Sequence, residues 1–228
     1  MDTLPLSDTI VTVADWMKAN SIGVPADLAA NIEAVKTQAY YQRALWDWTQ
    51  RFYNNKVDVS AFLDKFIGLV EDQLRRAWNE GMRNVGLDPA RDMLPLYQAH
   101  LQKIIDAEFN QVLDFAGAIE KARQEGKPVE PLRARVQLWS NRYQNVVNEA
   151  MAVCKPGERY EWVYGDTKKH CSSCARLAGT VATGDMWRMS GVMPQNPPNA
   201  KLECGGWRCR CRLVRTDRPL SEMGIPQV

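Results

Sequence analysis

Five of the six cysteines in this 228-residue chain lie in two short segments near its C-terminus. Cys171 and Cys174 form a Cys-x-x-Cys motif. After 29 intervening residues, Cys204 begins the run Cys-Gly-Gly-Trp-Arg-Cys-Arg-Cys, which contains Cys209 and Cys211. Small residues between the cysteines permit the tight turns that bring two thiolates to one ion. Because four sulfur atoms at ~2.3 Å complete a tetrahedral Zn²⁺ shell and leave no position for a reactive water, the spacing predicts a structural zinc site.

Five cysteines compete for four ligand positions in this site. Cys171, Cys174 and Cys204 are the firmer members, and we favour Cys209 over Cys211 as the fourth ligand. If residues 208–214 form a strand, Cys209 and Cys211 lie on the same face, because strand side chains alternate with a period of two. Either residue then completes the site. The alternative to a metal site is a set of reduced thiols or, in an oxidised particle, of disulfides.

The remaining cysteine and the two histidines are predicted to lie outside the metal shell. Cys154 stands apart from both cysteine segments and is interpreted as an ordinary buried cysteine. His170 adjoins Cys171, but adjacent side chains point in different directions, so we expect His170 to face solvent or to contact a ligand instead of binding the ion. His100 falls in a predicted helix and is interpreted as structural.

The chain shows no recognisable catalytic motif. Its two histidines lie in no nucleophile motif of the hydrolase type. No glycine-rich phosphate-binding or dinucleotide-binding pattern is present. The zinc deaminase signature needs a His-x-Glu upstream of Pro-Cys-x-x-Cys, and the sequence has no His-x-Glu. We therefore expect a protein that is not an enzyme, with no small-molecule substrate.

Composition places the chain among soluble globular proteins of a reducing compartment. Hydrophobic residues make up 45% and charged residues 25% of the sequence, as in ordinary globular domains. The first twenty residues lack the basic start and apolar run of a secretory signal, and no stretch is apolar enough to span a bilayer, so no membrane association is expected. In a reducing cytosol, clustered cysteines are better interpreted as metal ligands than as disulfides.

Hydrophobic periodicity predicts an α-helical N-terminal domain over residues 1–153. Apolar residues recur every three or four positions in five successive segments, as on the buried face of a helix. The predicted helices are a short one from Ser7 to about Asn20, a long one from Pro25 to Phe52, and three covering about 59–85, 97–119 and 132–153. These helices form either a bundle or an extended arm. Trp46, Trp48, Trp78 and Trp139 are predicted to anchor their core or an interface.

A small α+β module is predicted over residues 154–228. Helical periodicity stops at Cys154, and residues 160–164 have the aromatic and β-branched content of a short strand. Residues 175–203 offer poor material for a self-supporting core. A metal ion that joins the ends of this stretch supplies on the order of 10 kcal/mol, the scale seen in zinc-finger peptides. We therefore expect the metal to order the module.

The module is also the basic part of the chain. Residues 1–150 contain 17 basic and 20 acidic side chains, whereas residues 151–228 contain 12 and 7. These charges suit nucleic-acid phosphates, with Trp187 and Trp207 as stacking surfaces, but equally a solvated surface or a patch that docks on an acidic protein ring. The residues concerned are Lys168, Lys169, Arg176, Arg188, Arg208, Arg210, Arg212, Arg215 and Arg218.

The C-terminal motif resembles a known family. It runs Glu-Trp-Val from Glu161, then Asp166, the Cys171–Cys174 motif with a following Ala-Arg-Leu-Ala-Gly, a Pro-rich approach, and Leu-Glu-Cys-Gly-Gly-Trp-Arg-Cys-Arg-Cys from Leu202. This pattern is similar to the C-terminal domain of the phage Mu F-like minor head proteins, a head morphogenesis family of tailed phages. The resemblance covers residues 160–215. Cys211 stands where the family form has histidine, which leaves the fourth ligand open.

The resemblance implies a function in phage head assembly. It implies a virion component, made in the cytoplasm of the bacterial host, that lies near the portal and binds portal and capsid proteins. It also implies a part in DNA packaging or ejection, with DNA a further candidate partner through the basic module. The alternative hypothesis is a zinc-dependent nucleic-acid-binding protein or nuclease.

Overall fold

The computed structural model describes residues 38–165, 169–207 and 210–228. Within these ranges the chain is mostly helical, with a small three-stranded antiparallel sheet near the C-terminus. This confirms the predicted fold class, a mostly α protein with a small C-terminal α+β part. The predicted helix at 7–20 and the beginning of the long helix at Pro25 lie outside the described residues.

The described ranges contain six α-helices and three strands. The helices are α1 (Gln38–Tyr53), α2 (Val59–Asn84), α3 (Pro95–Gln124), α4 (Arg133–Cys154), α5 (Ser172–Leu177) and α6 (Gly184–Ser190), with a 3₁₀ turn at Glu130–Leu132. The strands are β1 (Arg159–Val163), β2 (Val181–Thr183) and β3 (Arg212–Arg215). Among the described residues, no helix is long and apolar enough to cross a membrane.

Local signals set the ends of the long helices. The side chain of Asp58 accepts a hydrogen bond from the N–H of Ala61 at 2.8 Å and so caps α2. Gly86, with a φ of 78°, takes the left-handed conformation that commonly follows the end of a helix. Pro95 is the first residue of α3, where its missing N–H leaves no intrahelical bond unmade.

Helices α1 to α4 pack against one another. Of the two predicted arrangements, a bundle or an extended arm, the described residues therefore form the bundle. Trp46, Trp78 and Trp139 are buried, and Trp48 is partly buried against the same core. Trp139 meets Phe66 edge-on with ring centroids 5.1 Å apart, a favoured aromatic geometry. The predicted role of these tryptophans as core anchors is confirmed.

Helices α2 and α4 make their closest approach at Gly81. A Cβ atom at this position would lie 2.5 Å from the carbonyl oxygen of Val147 and 2.6 Å from the Cβ of Ala150. Real Cβ atoms do not come so close to other heavy atoms, so the absence of a side chain sets the spacing of the two helices. This contact places α4 at the centre of the bundle.

Helix α4 also supports the C-terminal module. The side chain of Asn148 accepts a hydrogen bond from the N–H of Leu213 at 3.1 Å, and the hydroxyl of Tyr160 donates to the carbonyl of Met151 at 2.9 Å. Apolar side chains of the module join the same hydrophobic cluster as the bundle. Within residues 175–203, the stretch expected to lack a core of its own, the buried members of this cluster are Leu177, Ala182, Trp187, Val192, Met193 and Leu202.

The sheet has β1 in the middle, in the order β2-β1-β3. Trp162 on β1 is buried opposite Leu213 on β3, which confirms the predicted strand at 160–164. Among the described residues of the segment 208–214, the strand β3 begins only at Arg212. Cys211 precedes this strand, so strand alternation does not determine where Cys209 and Cys211 point.

Candidate metal centre

Cys171 and Cys174 flank the start of a short helix. Cys171 is the residue that caps α5, with an extended backbone (φ −71°, ψ 162°), and Cys174 lies in the first turn. The backbone N–H of Cys174 donates a hydrogen bond to the sulfur of Cys171 at 3.4 Å. The thiol thereby satisfies an N–H group that the helix start leaves open, in the way that a serine or aspartate usually does. This contact turns the Cys171 sulfur toward the helix.

Cys204 is positioned by a tight turn that depends on two glycines. Gly205 and Gly206 have φ values of 61° and 79°, a region that favours glycine. The N–H of Gly205 donates to the carbonyl of Leu202 at 2.7 Å. A Cβ atom on Gly206 would lie 2.9 Å from the backbone carbonyl carbon of Asn196. The glycines are therefore needed both for the turn and for its close packing on a neighbouring loop.

The two cysteine segments meet at one point. The sulfur atoms of Cys171, Cys174 and Cys204 all lie within 4.8 Å of one another. Two sulfur atoms bound at ~2.3 Å to one tetrahedral ion lie ~3.8 Å apart, so the three atoms stand close to the positions that a metal ion requires. Cys174 is buried, and the other two are partly exposed. Three of the five predicted ligands are thus close enough together to hold a metal ion.

Glu203 links the two segments through hydrogen bonds. Its carboxylate accepts from the N–H of Ser172 at 2.7 Å and from the Ser172 hydroxyl at 2.6 Å, and its own N–H donates to the Ser173 hydroxyl at 3.0 Å. The bonds from Ser172 lower the pKa of Glu203, so the group is a carboxylate at neutral pH. Sequence reasoning assigned no role to Glu203, and the only signal available was its position directly before Cys204.

The thiols of the cluster differ in their affinity for a proton. Burial raises the pKa of Cys171, but hydrogen bonds from Cys174 and Cys204 outweigh this effect, and the pKa lies below its ordinary value. Burial raises the pKa of Cys204, and the neighbouring Cys171 raises it further, although an N–H bond from Gly206 acts the other way. Opposite pKa shifts are expected for neighbouring thiols, because the negative charge of the first thiolate disfavours deprotonation of the second. A metal ion among them would favour the deprotonated form of each thiol.

The remaining cysteines are Cys209, Cys211 and Cys154. Cys209 lies outside the described residues. Cys211 is buried and lies outside the group of three, and its carbonyl accepts a hydrogen bond from Gln195 at 2.9 Å. Cys154 is buried at the end of α4, and burial raises its pKa to about 12, as expected of an ordinary buried cysteine. The choice of fourth ligand stays a prediction, and we retain Cys209 because Cys211 does not join the cluster.

The histidines do not belong to the cysteine cluster. His170 is exposed, and its ring stacks on Tyr164 with centroids 3.9 Å apart. His100 lies in α3, with its Nε2 atom 3.0 Å from a carboxylate oxygen of Glu149 and its ring against Trp78. These contacts are consistent with the structural role predicted for His100.

The predicted basic surface of the module is partly neutralised. Arg188, Arg215 and Arg218 form ion pairs with nearby carboxylates. The prediction of Trp187 as a stacking surface is wrong, because this side chain is completely buried and its Nε1 donates to a backbone carbonyl at 3.0 Å. Trp207 remains 40% exposed. Among the other predicted basic residues, Lys169, Arg176, Arg210 and Arg212 are exposed, while Lys168 and Arg208 lie outside the described ranges.

No protein-family model, curated protein or solved structure matches this chain.

Proposed function

We propose that this protein is a non-enzymatic structural component of a tailed-phage head, and that a zinc ion bound by four cysteines holds its C-terminal module in shape. The observation that carries this proposal is the meeting of Cys171, Cys174 and Cys204, which come from two separate segments of the chain. The same segments carry the resemblance to the phage Mu F-like minor head proteins. The protein is accordingly a virion component made in the host cytoplasm.

Zinc is the metal that best fits the donor set. Thiolate ligands select zinc, monovalent copper or iron–sulfur clusters. Two cysteine segments that begin with Cys-x-x-Cys and Cys-Gly-Gly are typical of closed, four-coordinate structural zinc sites. Cys171, Cys174 and Cys204 would hold the ion, with Cys209 as the expected fourth ligand. The ion supplies a cross-link between the two segments and, with its shell closed by protein, no activated water.

The metal cross-link orders the stretch of chain between the two cysteine segments. The stretch between Cys174 and Cys204 contains α6 and β2 and shares its core with α4 instead of having one of its own. A structural zinc ion contributes on the order of 10 kcal/mol in zinc-finger peptides, enough to decide whether such a stretch is ordered. The metal therefore fixes the surface that the module presents to other head subunits.

Helix α3 supplies a surface for portal or capsid subunits. Phe109 and Leu113, four residues apart on this helix, are 48% and 40% exposed. Phe109 borders a groove between α2 and α3 that Ile67 and Ile105 also line. Exposed apolar side chains grouped in this way mark interaction sites. The bundle thus binds head subunits through α3, while the module is held rigid by the metal.

Co-expression with the portal and major capsid proteins of the same phage tests this proposal. We expect the protein to copurify with portal or head particles, and the double substitution Phe109→Ser with Leu113→Ser to weaken this association. The matched control is Met189→Ser with Met223→Ser, which removes two side chains that are 87% and 96% exposed elsewhere on the surface. Particles that assemble without bound protein, under conditions where the protein is folded and soluble, would contradict the head function.

A further inference from the structure

A polar cleft lies where α1 and α4 meet the C-terminal module. It has a volume of about 360 Å³. Six glutamine or asparagine side chains and two arginines line it, with no acidic side chain among the lining residues. By contrast, Glu71, Asp106 and Glu108 are among the residues that line the groove between α2 and α3. A cleft rich in amides, with positive charge at its edge, is suited to an anionic ligand that also carries hydrogen-bonding groups.

The two arginines supply the charge of the cleft. Arg210 and Arg212 are exposed, and their side chains make no ion pair or hydrogen bond within the part of the chain that the structure describes. Arg215, on the same strand as Arg212, forms an ion pair with Glu158 at 3.1 Å. Because no carboxylate lines the cleft, the charge of Arg210 and Arg212 is not offset locally. Such a pair of guanidinium groups attracts phosphate or carboxylate groups.

The walls of the cleft hold unused hydrogen-bonding groups. Ser140 is completely buried, and its hydroxyl has no partner among the described residues. Gln38 donates to the carbonyl of Ser140 at 2.8 Å, and Gln144 donates to Asn148 at 3.4 Å, but the side-chain oxygens of both glutamines accept nothing from the described residues. Because the Ser140 hydroxyl is shielded from solvent, the groups that a ligand can reach are the side-chain oxygens of Gln38 and Gln144.

Trp207 adjoins the cleft through its backbone, and the residue itself lines a neighbouring pocket with Arg142 and Pro198. Asn141 in the cleft wall donates to the carbonyl of Trp207 at 3.4 Å, which fixes the Trp207 backbone against α4. The Trp207 ring remains 40% exposed. Nucleic-acid bases stack on exposed aromatic rings while basic side chains contact the phosphates. The arginines and amides of the cleft thus match the phosphate and the polar edge of one nucleotide, and Trp207 offers a stacking surface for a further base of a strand.

We propose that this cleft binds a nucleotide, with Arg210 and Arg212 contacting the phosphate and the amide side chains contacting the base. The ligand is a free nucleotide or one nucleotide of a single-stranded nucleic acid, which share this chemistry. The proposal does not depend on the head function, and Cys171, Cys174 and Cys204 do not line the cleft. Arg210 follows Cys209, the expected fourth ligand, so the test includes a variant away from the cysteines.

Fluorescence anisotropy of the full-length protein with a short labelled single-stranded DNA tests the proposal. Substitution of Arg210→Gln together with Arg212→Gln is expected to weaken binding roughly tenfold or more, as for other lost hydrogen bonds to a charged group. It should also lower the slope of log affinity against log salt by about 0.7, the contribution of one phosphate contact on a single strand. Arg215→Gln removes the same charge outside the cleft and should leave affinity nearly unchanged.

Competition with unlabelled adenosine monophosphate identifies the source of the nucleotide. Displacement of the DNA shows that a free nucleotide fills the cleft, and binding of DNA without displacement shows that the cleft takes part of a strand. Gln42→Ala should also weaken binding. Because Gln42 lies on α1, away from the cysteines, this variant tests the cleft even if the arginine variant loses its metal or its fold. Absence of binding to both probes at low salt, or equal affinity of all variants, would overturn the proposal.

Discussion

The carboxylate of Glu203 accepts two hydrogen bonds from Ser172, one from its backbone N–H at 2.7 Å and one from its hydroxyl at 2.6 Å. Ser172 directly follows Cys171, and Glu203 directly precedes Cys204. The contact therefore joins the two cysteine segments beside the cluster of sulfur atoms. Partners that orient metal ligands in this way contribute strongly to metal affinity, although they do not touch the ion.

Substitution of Glu203→Ala should lower zinc affinity without changing the number of ions bound. Loss of such an orienting contact typically weakens metal binding by about 10- to 100-fold. Competition against a chromophoric zinc chelator measures the affinity. Glu222→Ala is the matched control, because Glu222 is exposed and distant in sequence from both cysteine segments. Equal zinc affinity of the wild type and the Glu203 variant would show that the contact has no part in metal binding.

Gly81→Ala should destabilise the protein, whereas Gly68→Ala on the same helix should not. A Cβ at Gly81 would overlap the backbone of Val147 on α4, and overpacking of this kind costs typically ~1–3 kcal/mol. A Cβ at Gly68 meets nothing within 4 Å, and alanine is a better helix former than glycine by about 0.5–1 kcal/mol. Urea unfolding of the two variants measures both effects. A stable Gly81→Ala variant would contradict the close approach of α2 and α4.

The bundle could be predicted from the sequence because each of its helices has a clear apolar face. The stripe from Leu132 to Val153 predicted α4 almost to the residue, and the stripe over 59–85 predicted α2 equally closely. Tertiary contacts were not predictable in this way. Gly81 gave no sign of the close packing that it permits, since a glycine in a helical pattern has the same local appearance at an exposed site such as Gly68.

The cysteine cluster could be predicted in part, for a different reason. The spacing of Cys171 and Cys174 constrains two sulfur atoms locally, and the glycines after Cys204 indicate a tight turn. The burial of Trp187 was not predictable, because it depends on how α6 packs against α4 and on a hydrogen bond to a strand carbonyl. Arg210 and Arg212 could not be separated from the paired arginines for the same reason, since ion pairs depend on the tertiary fold.

Gly206→Ala should disturb the metal module more than the bundle. The added methyl group would meet the backbone of Asn196 at 2.9–3.0 Å, and the φ of 79° is unfavourable for alanine. We expect weaker zinc binding and a lower midpoint of thermal unfolding. Gly157→Ala is the control, because a Cβ there meets nothing within 4 Å and Gly157 has no positive φ. Equal zinc affinity of the two variants would contradict the role given to the Gly205–Gly206 turn.

Removal of the metal with a chelator should loosen the module and leave the bundle folded. The bundle has its own buried core around Phe66 and Trp139, whereas the stretch between the cysteine segments packs on α4 and, in our proposal, is cross-linked by the metal. Amide hydrogen exchange should therefore accelerate in residues 171–207 and remain slow in α2 and α4. Uniformly faster exchange along the chain would show that the metal supports the whole fold, and unchanged exchange would show that it supports none.

Metal analysis of the purified protein and its cysteine variants tests the central claim most directly. We predict about one zinc ion per chain, retained in Cys154→Ser and lost in Cys171→Ser, Cys174→Ser and Cys204→Ser, as a four-cysteine site requires. Comparison of Cys209→Ser with Cys211→Ser then identifies the fourth ligand, which we expect to be Cys209. A folded wild-type protein that contains no metal, when purified without chelators or strong oxidants, would contradict the account.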